Sequence, residues 1–125
     1  MREPVQLSEL QIAILRSLWR RGEASVADVA QELQAERALA HTTVATLLTR
    51  LEKRGVVTHR LDGRQLVYRA LVTEDAVRTS MVADLLESLF QGDAKALVAH
   101  LVREDELAPG DLEKLRARLK AAKRD

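Results

Sequence analysis

The sequence has no cysteine, which excludes disulfides, thiolate metal sites, thiol redox sensing and cysteine nucleophiles. Aromatics are nearly absent, with one Trp, one Tyr and one Phe in 125 residues. A chain that is still 46% hydrophobic must therefore build an aliphatic core. Proline occurs twice and glycine five times, with no low-complexity tract among the 31% charged residues, so wholesale disorder is not expected. No apolar run approaches the roughly 20 residues that span a bilayer, and Met1-Arg2-Glu3-Pro4 opens no apolar signal region. A cytoplasmic protein without membrane association is the expectation. His41, His59 and His100 fall on separate stretches without metal-ligand spacing, and no Ser/His/Asp set or phosphate-cradling glycine loop is present. Neither an enzyme nor a cofactor or metal is expected.

Net charge is +1, but the charge is unevenly placed. Residues 1–72 carry 11 Lys/Arg against 8 Asp/Glu, and residues 73–125 carry 9 against 11. Between His41 and Arg69 stand Arg50, Lys53, Arg54, Arg60, Arg64 and Arg69 against only Glu52 and Asp62. A local cationic excess suits a phosphate-facing surface, and an ordinary solvated face equally.

Hydrophobic periodicity divides the chain. Ser8 caps a helix with Leu10, Ile14 and Leu18 at four-residue intervals, widened by Ile12, Leu15 and Trp19 and closed by Gly22. Ser25 caps a second, with Val26, Val29, Ala30 and Leu33 inward. A third runs from Leu39 or Ala40 to Arg54, its stripe Val44, Leu47, Leu48 and Leu51 spaced i, i+3, i+4, i+7. Its opposite face holds Thr42, Thr46, Thr49 and Lys53, with Thr43 and Arg50 beside them. The period then drops to about two. Val56–Leu61 and Leu66–Leu71 read as strands around Asp62-Gly63, a hairpin with Arg60 and Arg64 near its tip. Thr73 and Asp93 cap two further helices, and Pro109 is expected at the first position of the last one, which ends in Lys120, Lys123 and Arg124.

Three helices followed by a hairpin make a winged helix-turn-helix. The expected fold is mainly α with a small β-hairpin: a winged-helix DNA-binding domain over 1–72 and a three-helix dimerisation domain over 73–125. The third helix is expected to enter the major groove, which is about 12 Å wide and accepts one α-helix. Four threonines in eight residues oppose helix propensity, where a merely solvated face favours Glu, Lys or Gln. The expected DNA-binding residues are His41, Thr42, Thr43, Thr46, Thr49 and Arg50, with Arg60 and Arg64 from the wing.

Leu18-Trp19-Arg20-Arg21-Gly22-Glu23-Ala24-Ser25-Val26-Ala27-Asp28-Val29 resembles the start of the penicillinase repressor family, the BlaI/MecI group. His41 through Gly55 resembles its recognition helix, Asp62-Gly63-Arg64 with Tyr68 its wing, and Leu89-Phe90-Gln91-Gly92 with Leu97-Val98 its dimerisation region. The resemblance implies a homodimeric transcriptional repressor on a pseudo-palindromic operator, with contacts carried over to Thr43, Thr46, Arg50 and Arg64. It also implies a sensor protease or antirepressor as a partner. The chain departs from the family in places. His41 stands where many relatives have an aromatic, which points to packing or a phosphate contact. The best-known members are cut at an Asn-Phe bond in the fifth helix, and His100-Leu101 occupy that proteolytic switch position here. A copper-responsive branch has a C-terminal Cys cluster, which this chain lacks. The Ser/Thr cap of the sixth helix is replaced by Ala108.

The C-terminal helices carry more apolar positions than a wing-helix core uses, and a surplus stripe must be buried. Leu85, Leu86, Leu89, Leu97, Leu101, Leu112, Leu115 and Leu119 are the expected dimer interface, with an intramolecular helical subdomain as the simpler reading. The alternative function is a winged helix used for protein–protein contact without DNA, a class that usually loses the polar reading face.

Overall fold

The computed structural model describes residues 7–123; Met1–Pro4 and Arg124, considered above, lie outside them. Elements run α1 (Glu9–Arg21), β1 (Ala24–Ser25), α2 (Val26–Arg37), α3 (His41–Lys53), β2 (Val57–Asp62), β3 (Gln65–Ala70), α4 (Glu74–Phe90), α5 (Ala94–Arg103) and α6 (Asp111–Lys123). Two compact units divide within α4, the first ending at Met81 and the second beginning at Val82. The division thus falls one helical stretch later than the hairpin's end, because Val77 is buried in the first unit's core and Met81 packs against it.

In the first unit, each helix start is written in short polar side chains. Ser8 accepts from the Gln11 N–H at 3.2 Å while Gln11 accepts from the Ser8 N–H at 2.9 Å. Ser25 and Asp28 repeat this reciprocal box. Both satisfy donors that a helix start leaves orphaned. The core these helices enclose is aliphatic, as the composition required: Ile14, Leu15, Leu18, Val29, Leu33, Val44, Leu48, Leu51 and Val57 are buried, with Tyr68 the one aromatic in the cluster. Each such side chain contributes about 1.5–3 kcal/mol.

The sheet has three strands in the order β1-β3-β2, all antiparallel. The two-residue β1 is too short for any alternation to show in the sequence. It pairs Ala24 with Tyr68 and Ser25 with Val67. The hairpin turn sits one residue later than expected. Asp62 pairs with Gln65, so Gly63 and Arg64 form the two-residue loop. Gly63 lies at φ +63° and Arg64 is not in the left-handed region, the requirement of a type II′ turn with glycine first. Arg64 is therefore at the very tip.

Between α2 and α3 the chain turns on Ala38, held at φ 52°, ψ 38°. An L side chain in this left-handed region costs about 1 kcal/mol or more. Ala38→Gly is expected to raise unfolding stability by about 1 kcal/mol, seen as a higher urea midpoint at unchanged slope.

In the second unit, Asp93 caps α5 by accepting from the Ala96 N–H at 3.1 Å. Pro109 does not open α6 as expected. Pro109 and Gly110 are the central pair of a turn closed by the Asp111 N–H on the Ala108 carbonyl at 3.1 Å, with Gly110 at φ +89°. Proline followed by a positive-φ glycine defines a type II turn, and the helix begins only after it. The Asp111 carboxylate accepts from the Ala108 N–H at 2.7 Å, the half of a capping box that does not depend on the side chain at 108. Among its described residues this unit has no buried side chain. His100 and Leu101 lie inside α5, with the Phe90 and His100 rings 6.0 Å apart, edge to face. No helix among the described residues is long and apolar enough to cross a membrane.

Candidate nucleic-acid interface

The third helix presents two different faces. Val44, Leu48 and Leu51 are buried, and this anchors the helix on the core. His41, Thr42, Thr43, Thr46, Thr49, Arg50 and Lys53 are exposed. Thr42, Thr43, Thr46, Leu47 and Arg50 line one shallow groove. Leu47, expected to point wholly inward, is half-buried and forms part of that groove's floor.

The threonine hydroxyls are not equivalent. Thr46 Oγ1 donates to the Thr42 carbonyl and Thr49 Oγ1 to the Ala45 carbonyl, both at 2.9 Å. This back-bonding occupies their donors, so outward they offer a methyl group and acceptor lone pairs. The Thr42 and Thr43 hydroxyls make no such bond, while of the backbone groups the Thr43 N–H is held by the Ala40 carbonyl at 3.1 Å and those before it are left without an intrahelical partner. Ala40 makes no side-chain cap and the first turn has no acid, which leaves free N–H groups and the positive dipole end beside the two threonines.

Several cations are already engaged by carboxylates. Arg20 and Arg21 pair with Glu32, Arg37 with Glu9, and Arg78 with Glu74. Arg50, Lys53, Arg54 and Arg64 have no carboxylate partner among the described residues. These four stand on α3, at its end and at the hairpin tip; Arg16, Arg69 and cations of the second unit likewise have no ion pair among the described residues.

Arg60 is the exception among the expected site residues. Its guanidinium grips Glu23 with two bonds, Nε to Oε2 at 3.1 Å and Nη2 to Oε1 at 2.6 Å. The hydrogen bond from Arg60 is the main cause holding the Glu23 carboxyl below its ordinary range, and Glu23 in turn raises the Arg60 guanidinium. On the other face of the hairpin His59 Nδ1 lies 2.8 and 2.7 Å from the two Glu52 oxygens, and its ring is 5.4 Å from that of Tyr68. Burial, then the Glu52 charge, pushes the Tyr68 phenol above its ordinary value, against a hydrogen bond with Thr49. Thr49 therefore stands at the hairpin-side edge of α3, apart from the Thr42–Arg50 groove. The Glu23 and Glu52 contacts had no signal in the sequence, since their partners lie 37 and 7 positions away. Among the described residues no three His, Asp or Glu side chains form a metal-ligand group.

A model described as penicillinase repressor matches residues 7–121. The chain is 33% identical over 104 residues to the transcriptional regulator BlaI of Mycobacterium tuberculosis (strain CDC 1551 / Oshkosh), covering 82% of this chain and 75% of that one. It is 25% identical over 111 residues to the methicillin resistance regulatory protein MecI of Mammaliicoccus sciuri, covering 89% and 90%. Among solved structures, the monomeric form of Bacillus licheniformis BlaI in complex with the blaP half-operator superposes with a TM-score of 0.52 at 26% identity, over 61% of this chain and 93% of that one.

Proposed function

The chain belongs to the penicillinase repressor family, and from that premise we propose that it is a transcriptional repressor that reads double-stranded operator DNA as a homodimer. One observation carries the reading. An exposed helix face of Thr42, Thr43, Thr46 and unpaired Arg50 is fixed rigidly by the fully buried Val44, Leu48 and Leu51 behind it. A rigid element holding short hydroxyls and one free guanidinium outward is what a major groove requires. Thr42 and Thr43, beside the uncapped helix start, donate to phosphate. Thr46, its donor spent, meets bases through its methyl group and acceptor oxygen. Arg64 at the hairpin tip lies over the flanking backbone.

Pairing of two chains is supported by the second unit. Leu85, Leu89, Leu112, Leu115 and Leu119 are exposed, Leu86, Leu97 and Leu101 are half-buried, and none of the described residues there is fully buried. A helical segment with leucines and no core of its own acquires one by two-fold association. The expected spacing between the two reading helices is about 34 Å, one turn of DNA.

The test is to recover duplexes bound by the purified protein from genomic DNA and to measure affinity against salt. A two-half-site sequence, with affinity falling steeply as salt rises, is expected. Recovery of no sequence, or a salt-independent affinity, would sink the reading.

The bare start of α3 gives a second prediction. Ala40→Asp supplies the missing cap and is expected to raise stability by about 1 kcal/mol, yet to weaken DNA binding by placing a carboxylate beside the phosphates. A thermal melt and a gel shift on the same preparation check the opposite signs; tighter binding by the stabilised variant would refute the phosphate contact.

A further inference from the structure

We propose that the wing is braced from both faces, with His59 and Arg60 as positioning residues that set where Arg64 meets DNA; the functional half of this rests on the DNA-binding reading above. Consecutive strand residues point to opposite faces. His59 and Arg60 use this alternation to reach carboxylates on two different elements: Glu52 on α3, and Glu23 in the turn before β1. Beyond them the hairpin stands alone. β1 pairs only with Val67 and Tyr68 of β3, and Leu61, the next residue outward, is 67% exposed. An isolated two-stranded ribbon is marginal in water, so its direction is set at the last level where it touches the body. That level holds His59 and Arg60.

The leverage is geometric. Arg60 lies two pairs below the Asp62–Gln65 pair that closes the loop, so Arg64 stands roughly 10 Å out along the hairpin. A swing of about 15° at the base moves the tip by about 3 Å, enough to break a hydrogen bond. Exposed ion pairs usually contribute little, but a two-pronged Arg–carboxylate contact is the geometry that does contribute. Arg60, expected from the sequence to touch DNA, is in this arrangement committed to Glu23.

The experiment turns on sign. Glu23→Gln and Glu52→Gln each remove a negative charge, and electrostatics alone would tighten binding to DNA. Bracing requires the reverse. With a duplex selected from a random pool by the wild-type protein, each variant is expected to bind about three-fold more weakly, at an unchanged slope of log affinity against log salt. A residue that is not a phosphate contact leaves that slope alone. Arg64→Ala is expected to cost less in the double Gln variant than in the wild type. Without DNA, amide order parameters over residues 61–66 are expected to fall in both variants while those of the core do not, and His59→Gln repeats the effect from the partner side. Tighter binding, a steeper slope, or unchanged hairpin order overturns the proposal, as does reduced order with unchanged affinity. Failure of the wild-type protein to select any duplex instead removes the DNA reading. The hairpin order still decides the brace.

Discussion

Leu89→Asp is expected to give a folded monomer whose affinity for a duplex with two half-sites is about 10²–10⁴-fold weaker than that of the wild type. Leu89 is 71% exposed and belongs to the second unit, so the substitution removes no core packing within one chain. Stability of the first unit should not change. In a two-fold interface the same leucine occurs on both sides, and each association would then desolvate two carboxylates without partners, a cost of several kcal/mol. The loss on DNA follows from linkage. Once one reading helix is seated, its tethered partner meets the second half-site at an effective concentration in the millimolar range, an advantage a monomer lacks. Leu119→Asp, at a position 65% exposed on α6, is expected to act alike. Sedimentation gives the oligomeric state and fluorescence anisotropy the affinity, with a single half-site duplex as control, to which wild type and variant should bind equally as monomeric units. A dimeric Leu89→Asp protein, or a monomeric wild type, would refute the assignment of this surface.

The fold was legible where local chemistry alone decides it. Ser8, Ser25, Thr73 and Asp93 each receive the backbone N–H three residues on, because a cap needs only its own helix. The aliphatic stripe of α3 was equally plain, since a 3.6-residue period is written in neighbouring positions. What failed depended on partners distant in sequence or on a choice between near-equal local solutions. The two-residue β1 has no period to read; it exists because Tyr68 and Val67 present an edge to it. Asp62-Gly63 and Gly63-Arg64 both satisfy glycine's role in a hairpin, and strand register chose the second. Proline at 109 suits a helix start and a type II turn alike, and Gly110 behind it decided for the turn. In the candidate site the same division holds. Thr42, Thr43, Thr46 and Arg50 fall together on one groove because helix geometry places them there. Arg60 was expected on DNA, and its contact with Glu23 was not legible because that partner lies in another element; a cationic hairpin tip says nothing of which guanidinium is already engaged.

Arg50 and Arg64 are both unpaired cations, yet their removal is expected to have different signatures. Arg50 stands on a rigid helix among threonines, within a groove whose shape is fixed by the core. A guanidinium so held can offer two parallel donors to a guanine edge, a contact worth about 1–3 kcal/mol of discrimination. Arg50→Ala is therefore expected to lower affinity for the selected duplex by roughly 5- to 150-fold, with much less change on random DNA. Arg50→Lys keeps the charge and loses the fork, so it should restore the random-DNA affinity without restoring the discrimination. Arg64 sits at the turn of a hairpin, next to a flexible-backbone glycine at φ +63°, and meets a phosphate as a single charge. Arg64→Ala is expected to weaken selected and random duplexes by similar factors and to reduce the salt slope by about 0.9. Titrations of both duplexes at four or more salt concentrations separate the two roles. Equal losses on selected and random DNA for both variants would mean that Arg50 is a phosphate contact too. Sequence reading would then rest on Thr42, Thr43 and Thr46 alone.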